Sequence, residues 1–249
     1  MSTRLFHISD VHFGVENPAA LASVARAIEA EKPDALLCTG DLTQRAKRRE
    51  YAAAARWFGQ FELPILFDPG NHDMPYYNLW ERFTDPYRRY RGIAGRLGGA
   101  LTSPDALVIP LKTTVRVQPR FPWSDGFVTR TALARTLEAL REVRSDSRTK
   151  LITCHHPLLG PAGASRNPTI GGERAFAALV DAGADAFLSG HVHVPFDQTR
   201  SYRNRAARMI GTGTLSTRLR RGAPPSYRVI ECDQGRIMTD LRELSVDRA

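Results

Sequence analysis

Leu5-Phe6-His7-Ile8-Ser9-Asp10-Val11-His12 is an apolar run that ends on a carboxylate and an imidazole, and the same arrangement recurs along the chain. Ala35–Cys38 is followed by Gly40-Asp41, Pro64–Phe67 by Gly70-Asn71-His72-Asp73, Lys150–Thr153 by Cys154-His155-His156-Pro157, and Ala186–Leu188 by Gly190-His191-Val192-His193. All seven histidines of the chain fall inside these motifs. The apolar runs read as buried strands that stop at polar clusters. Imidazoles, carboxylates and one amide gathered in this way are the donor set that two adjacent divalent metal ions require.

Between the runs lie stretches with helical spacing: Pro18–Glu31 with Asn17 as its N-cap, Glu50–Phe61, Thr129–Arg144 with Leu133, Leu137 and Leu140 on one stripe, and Gly172–Asp181. Alternating strands and helices predict parallel strands joined by crossovers, and such sheets collect ligands at the carboxyl ends of their strands. Five motifs distant in sequence thereby become one site. If the strand geometry persists, the i, i+2 spacing turns Asp10 and His12 to the same side, and likewise His191 and His193. The glycines before Asp41, Asn71 and His191 let the chain turn sharply and approach an ion closely.

The last third changes character. Arg208–Ile210, Tyr227–Cys232 and Arg236–Leu241 read as short strands, with a hairpin turn at Asp233-Gln234-Gly235, so a second sheet packed on the first is expected. Segments Asp85–Pro104 and Gly160–Gly172 read as loops from their Arg, Gly and Pro content. Residues 1–249 are expected to form one α/β domain, a length sufficient for a full core.

The chain is basic, with a formal charge of +9, mainly from arginine runs such as Arg45-Ala46-Lys47-Arg48-Arg49, Arg88-Arg89-Tyr90-Arg91 and Arg218-Leu219-Arg220-Arg221. A solvated face is the simpler reading of these runs, although a positive field also suits a phosphate-handling enzyme. Cys38, Cys154 and Cys232 are far apart and form no CxxC pair, which suits reduced core residues of a cytoplasmic protein. No apolar run approaches the roughly 18 residues of a membrane span, and the N-terminus lacks the apolar stretch of a signal peptide.

In their order, Asp-x-His, Gly-Asp, Gly-Asn-His-Asp, His and Gly-His-x-His, the motifs from Asp10 to His193 resemble those of the calcineurin-like metallophosphoesterase superfamily. His155-His156-Pro157 and the chain length are most similar to its bacterial cyclic-nucleotide phosphodiesterase branch. The resemblance implies a four-layer αββα sandwich with two central mixed β-sheets. It implies that Asp10, His12 and His193 hold one ion, that Asn71, His155 and His191 hold the other, and that Asp41 bridges them. The ions would be Mn, Fe, Zn or similar, since such mixed oxygen and nitrogen sets accept several first-row metals. His72 would meet the phosphate or leaving-group oxygen as donor or general acid, with Asp73 fixing its tautomer. His7 reads instead as a buried core histidine, and His156 as either a substrate contact or a support for His155.

Between ions about 3.5 to 4 Å apart a bridging hydroxide can attack phosphorus in line. The expected activity is hydrolysis of a small phosphodiester, with cyclic nucleotides among the candidates. The alternatives are a phosphomonoesterase, a nuclease and a hydrolase of anionic lipid pyrophosphates. Nucleic acid is the less favoured partner, and a non-enzymatic scaffold is disfavoured because the ligand histidines are all present. Leu111-Lys112-Thr113-Thr114 departs from the Leu-Asp-Ser element of such diesterases, which bears on substrate choice. Met74–Trp80 could form an aromatic wall over the site or the packing face of a helix. Oligomeric state is open at this level.

Overall fold

β1 (Thr3–Ile8) is buried along its whole length apart from Arg4, because it lies at the centre of a sheet covered on both faces. The computed structural model describes residues 2–118, 120–161 and 167–244. After β1 come α1 (Pro18–Glu31), β2 (Ala35–Cys38), α2 (Arg48–Phe58) and β3 (Ile65–Phe67), three parallel strands with crossover helices. α3 (Leu79–Thr84) and α4 (Arg88–Leu97) lead to β4 (Ala106–Pro110). The chain continues through β5 (Gly126–Phe127), α5 (Arg130–Glu142), β6 (Thr149–Thr153), β7 (Thr169–Ile170), α6 (Gly172–Asp181) and β8 (Ala186–Ser189). It closes with β9 (Phe196–Tyr202), β10 (Arg205–Gly211), β11 (Ser226–Asp233) and β12 (Arg236–Glu243).

Two mixed five-stranded sheets result, in the orders β12-β11-β1-β2-β3 and β4-β6-β8-β10-β9. Alternation along each strand sorts side chains into three apolar layers. Phe6, Ile8, Leu36 and Cys38 face outward and pack with Leu21, Val24 and Ile28 of α1 and with Tyr51, Ala54 and Phe58 of α2. Leu5, Ala35, Leu37 and Ile230 face inward and meet Ala106, Leu151, Ala186, Leu188 and Ile210 of the other sheet. Ile152, Phe187 and Met209 cover the far side with Leu133 and Leu140 of α5 and with Phe176 and Leu179 of α6. The molecule is a four-layer αββα sandwich, as the resemblance implied.

The layer between the sheets is partly polar. His7 and Arg228 are register partners on β1 and β11 and are both buried. The Arg228 Nε donates across the gap to Gly211 O at 2.8 Å, and Arg208 donates from the second sheet to Ile237 O. His7 pairs its Nε2 with Thr39 Oγ1 at 2.9 Å, so it is the core histidine expected.

Several local expectations hold for physical reasons. Asn17 accepts from Ala20 N at 3.0 Å and caps α1. Gln234 and Gly235, with φ of 48° and 79°, turn the β11–β12 hairpin, both residues having the positive φ of a type I′ turn. Other expectations need correction. Asp85–Pro104 is not a loop throughout, because α4 runs from Arg88 to Leu97 and buries Tyr90 and Ile93. Its Gly92 and Gly95 face open space, so they cost helix propensity without disturbing packing. Within Gly160–Gly172, Thr169–Ile170 forms a short parallel pair with β5, and residues 162–166, Gly163 included, lie outside the described residues. Cys38, Cys154 and Cys232 are free and buried, consistent with core residues. Among the described residues no helix is long and apolar enough to cross a membrane.

Burial lowers the His7 pKa from 6.5 to about 3, assisted by the Arg228 charge. The folded value lies below the unfolded one, so the native state binds fewer protons in between. The contribution is therefore intact above about pH 6.5 and is lost as the pH falls toward 3, with a slope of about 1.4 kcal/mol per pH unit for one proton. His7→Leu is expected to flatten the acid limb of the stability curve by that share in denaturant titrations run between pH 6.5 and 4. Parallel wild-type and variant slopes would contradict a neutral, buried His7.

Candidate metal centre

The five motifs meet at one end of the sandwich, beyond the carboxyl ends of β1, β2, β3, β6 and β8. Strand geometry does not persist into them as the i, i+2 argument supposed. β1 ends at Ile8, and Asp10 and His12 adopt φ of 54° and 50°; Asp41, His191 and His193 follow at 53°, 68° and 58°. The left-handed region costs a side-chain-bearing residue on the order of 1 kcal/mol or more, and here hydrogen bonds hold it in place. Asp10 N donates to Gly40 O (3.0 Å), His12 N to Asp41 O (2.9 Å) and His191 N to Asp10 Oδ2 (2.8 Å). The same side chains converge as expected, by a different backbone route. Gly70 and Gly190 are needed for close approach, since a Cβ would lie 2.0 Å from Asp41 Oδ1 at the first and 2.4 Å from Asp10 Oδ2 at the second.

One cluster joins Asp10, His12 and His193. The His193 Nε2 stands 3.0 Å from Asp10 Oδ1 and 3.2 Å from His12 Nε2, and His12 Nε2 is 3.6 Å from Asp10 Oδ1. A second cluster joins Asn71 and His155, whose Oδ1 and Nε2 are 3.1 Å apart, with the His191 ring 5.2 Å from that of His155. Asp41 Oδ2 lies between the clusters, 3.7 Å from His12 Nε2 and 3.4 Å from His155 Nε2.

The donor chemistry fits a cation. The Nδ1 of His12, His155 and His193 point to the carbonyls of Thr43 (3.3 Å), Thr39 (2.8 Å) and Arg218 (2.7 Å), which fixes the proton on that nitrogen. In the neutral rings the Nε2 lone pairs then face one another and the carboxylates of Asp10 and Asp41. In that state acceptors face acceptors, and positive charge, a proton or a metal cation, resolves the arrangement.

The electrostatics agree. Burial opposes charge on His155, but the carboxylate of Asp41, with Asp10 beyond it, carries its pKa up to about 10. Burial lowers His12 to about 3 and, with the charge of His155, His191 to about 4. Against burial, His193 holds the carboxyl of Asp10 well below its usual range, and His155 does the same for Asp41.

His72 lies beside this centre, its ring 4.8 Å from that of His12. Its Nδ1 donates to Gln44 O at 2.6 Å, and its Nε2 is 3.0 Å from Arg218 Nη1. A guanidinium only donates, so His72 here is the neutral tautomer with its lone pair on Nε2. Asp73 does not touch that ring. Its buried carboxylate accepts from Leu42 N, Thr43 N and Gly70 N at 3.2, 2.9 and 2.9 Å, and from Thr43 Oγ1 at 3.0 Å. The catalytic part assigned to Asp73 from sequence is corrected accordingly: it ties the Gly40–Thr43 and Gly70–Asp73 turns together, and the Gln44 carbonyl orients His72.

His156 is likewise a support. Its Nδ1 meets Thr113 Oγ1 and its Nε2 meets Ser124 O, both at 2.9 Å, while its ring lies tilted against that of His191 with centroids 4.4 Å apart. Thr113 belongs to the divergent Leu111–Thr114 element, which therefore braces the second cluster. Met74–Trp80 fits neither earlier reading: Trp80 is 79% and Tyr77 64% exposed. The cavity over the centre, about 660 Å3, is lined instead by Ser124, Pro161, Pro168, Val194 and Phe196 and by arginines after β10. Gln44 and Arg218 escaped the sequence reading, the first because it acts through its backbone, the second because it sits in a charge run taken as solvated.

Residues 3–195 match the calcineurin-like phosphoesterase family. The chain belongs to that family. That family is one of metal-dependent phosphoesterases, hydrolases of phosphoric esters. The chain is 27% identical over 209 residues, 78% of this chain and 73% of the relative, to a protein named "probable cyclic nucleotide phosphodiesterase" from Pseudoalteromonas sp. (strain SM9913). It is 35% identical over 80 residues to glycerophosphodiester phosphodiesterase GpdQ of Enterobacter lignolyticus (strain SCF1), covering 28% of this chain and only 29% of that protein. Among solved structures, a dimetal phosphatase from Danio rerio superposes with a TM-score of 0.72 at 14% identity, covering 97% of this chain and 96% of that one. Purple acid phosphatase PPD1 from yellow lupin (Lupinus luteus) seeds gives a TM-score of 0.69 at 13% identity, covering 98% of this chain and 52% of that one.

Asp41→Ala is expected to reduce bound metal to below half of wild type, measured by elemental analysis after supplementation with manganese and gel filtration. Metal uptake in wild type should tighten as the pH rises toward 10, because the incoming ion displaces the proton held on His155. Full metal content in the variant would remove Asp41 from the centre.

Proposed function

We propose that the chain hydrolyses a small phosphodiester at a pair of divalent ions. Asp10, His12 and His193 would hold one ion, Asn71, His155 and His191 the other, and Asp41 would bridge them. The observation that carries this reading is the position of Asp41 Oδ2 between the two clusters, within 3.4 and 3.7 Å of a ligating nitrogen of each. When bound, such ions acidify water and draw charge from phosphoryl oxygens. Manganese, iron and zinc all suit the mixed set of oxygens and imidazoles.

The chain's own groups supply the rest. Arg218 stands where it can leave His72 Nε2 for a phosphate oxygen, to which a guanidinium binds as a charge-assisted donor. His72 then has a free Nε2 at the leaving-group side. Because Gln44 O retains the Nδ1 proton, His72 donates from Nε2 only as the imidazolium. Attack in line with the departing oxygen would complete the displacement without a covalent enzyme intermediate. The cavity has room for the second organic arm that a diester must place. The two relatives named as phosphodiesterases favour the same choice.

The manganese-loaded protein is expected to hydrolyse bis-p-nitrophenyl phosphate with a higher kcat/KM than p-nitrophenyl phosphate, and a chelator should abolish both activities. His72→Ala should slow esters with poor, alkyl leaving groups by roughly 100-fold or more and nitrophenyl esters much less. Equal losses on both classes would remove His72 from the acid role, and a preference for the monoester would reverse the substrate assignment.

A further inference from the structure

The wall of the cavity formed after β10 carries three guanidinium groups, on Arg218, Arg220 and Arg221. Other arginines of the molecule do have carboxylate partners, Arg88 and Arg89 with Glu81, Arg148 with Asp146 and Arg208 with Asp197. Among the described residues none of the three has an acidic partner. Arg218 meets only Gln44 Oε1, at 3.2 Å, and His72 Nε2. They share the cavity with Asp41, Asn71, His191 and His193, so positive charge faces a centre built to hold more of it.

The loop that carries them is fixed to the floor of the site. Thr214 Oγ1 donates to Asp10 O at 2.6 Å, Arg218 N to Ser216 Oγ at 3.2 Å and Thr217 N to Val15 O at 3.0 Å. The Arg218 carbonyl accepts from His193 Nδ1. The Arg218 end of the wall therefore stands in a set position relative to His193 and Asp10, Arg220 and Arg221 continue it as solvent-exposed groups, and an anion in the cavity offsets their like charge. A single phosphodiester charge is answered by the metal centre and Arg218. Arg220 and Arg221 are left over.

On the functional reading above, we propose that Arg220 and Arg221 form a second anion subsite, and that the substrates are soluble phosphodiesters whose organic arm carries a further phosphate. The apolar Pro161, Pro168, Val194 and Phe196 on the same cavity receive the organic part between the two charges. A 3′,5′-cyclic nucleotide, with one charge, leaves this subsite without a partner and is the poorer substrate.

Two chromogenic esters that differ by a single group test this: thymidine 5′-(p-nitrophenyl phosphate) and its 3′-phosphorylated counterpart. With manganese-loaded wild type, the added phosphate is expected to raise kcat/KM at least about tenfold, chiefly through KM, the gain of one charge-assisted contact. In the Arg220→Ala/Arg221→Ala double variant the ratio between the two esters should fall toward one. Inorganic pyrophosphate should compete with the bisphosphorylated ester, and vesicles of phosphatidylglycerol should not. Calorimetry on the metal-free protein gives a readout independent of turnover: thymidine 3′,5′-bisphosphate should bind more tightly than thymidine 5′-monophosphate to wild type, and the difference should vanish in the double variant. A preference that survives the double substitution, no preference at all, or competition by vesicles alone would overturn the subsite. Absence of all hydrolysis, with the binding difference intact, would instead count against the phosphodiesterase reading.

Discussion

Imidazole nitrogens and carboxylates crowded together so closely that positive charge must sit among them are the constraint on which this molecule is built. Nε2 of His12 and His193 approach to 3.2 Å with Asp10 Oδ1 beside them, and Nε2 of His155 faces Asn71 Oδ1 at 3.1 Å. Such groups repel one another in the low dielectric of the interior unless a proton, as on His155, or a cation lies between them. Everything around them acts to hold them there. Backbone carbonyls of Thr39, Thr43 and Arg218 pin the other ring nitrogens. Asp73 gathers the amides of two turns, and left-handed residues after β1, β2 and β8 aim the side chains inward.

That arrangement explains the sandwich as much as the sandwich explains it. Parallel strands deliver their carboxyl ends to one edge, but the residues gathered there come from both sheets, so the sheets must keep a fixed relation. The buried contact of Arg228 with Gly211 O and the half-buried one of Arg208 with Ile237 O run between them, alongside the apolar layer of Leu5, Leu37, Leu151 and Leu188.

Much of this was legible in the residue order. Apolar runs that stop at Asp, Asn and His announce strands and the chemistry at their tips, and β1, β2, β3, β6 and β8 lie where those runs lie. What was not legible depends on tertiary contacts. The φ of Asp10 or His191 is set by hydrogen bonds to residues far along the chain, so local spacing suggested a strand that had already ended. β9 escaped because Phe196-Asp197-Gln198-Thr199-Arg200-Ser201-Tyr202 is a half-exposed strand, too polar to stand out. α4 was hidden by Gly92 and Gly95, harmless on its exposed face. Gln44 works through a carbonyl that every residue type possesses, so nothing in its identity marks it.

Asp10, Asp41 and Asn71 follow strands of one sheet, whereas His155, His191 and His193 follow strands of the other. An ion seated among them therefore rivets two slabs of the polypeptide that are otherwise joined by packing and a few arginine bridges. Its loss would be felt as a loosening of the seam between the slabs, which couples the mechanical cohesion of the protein to the supply of metal around it.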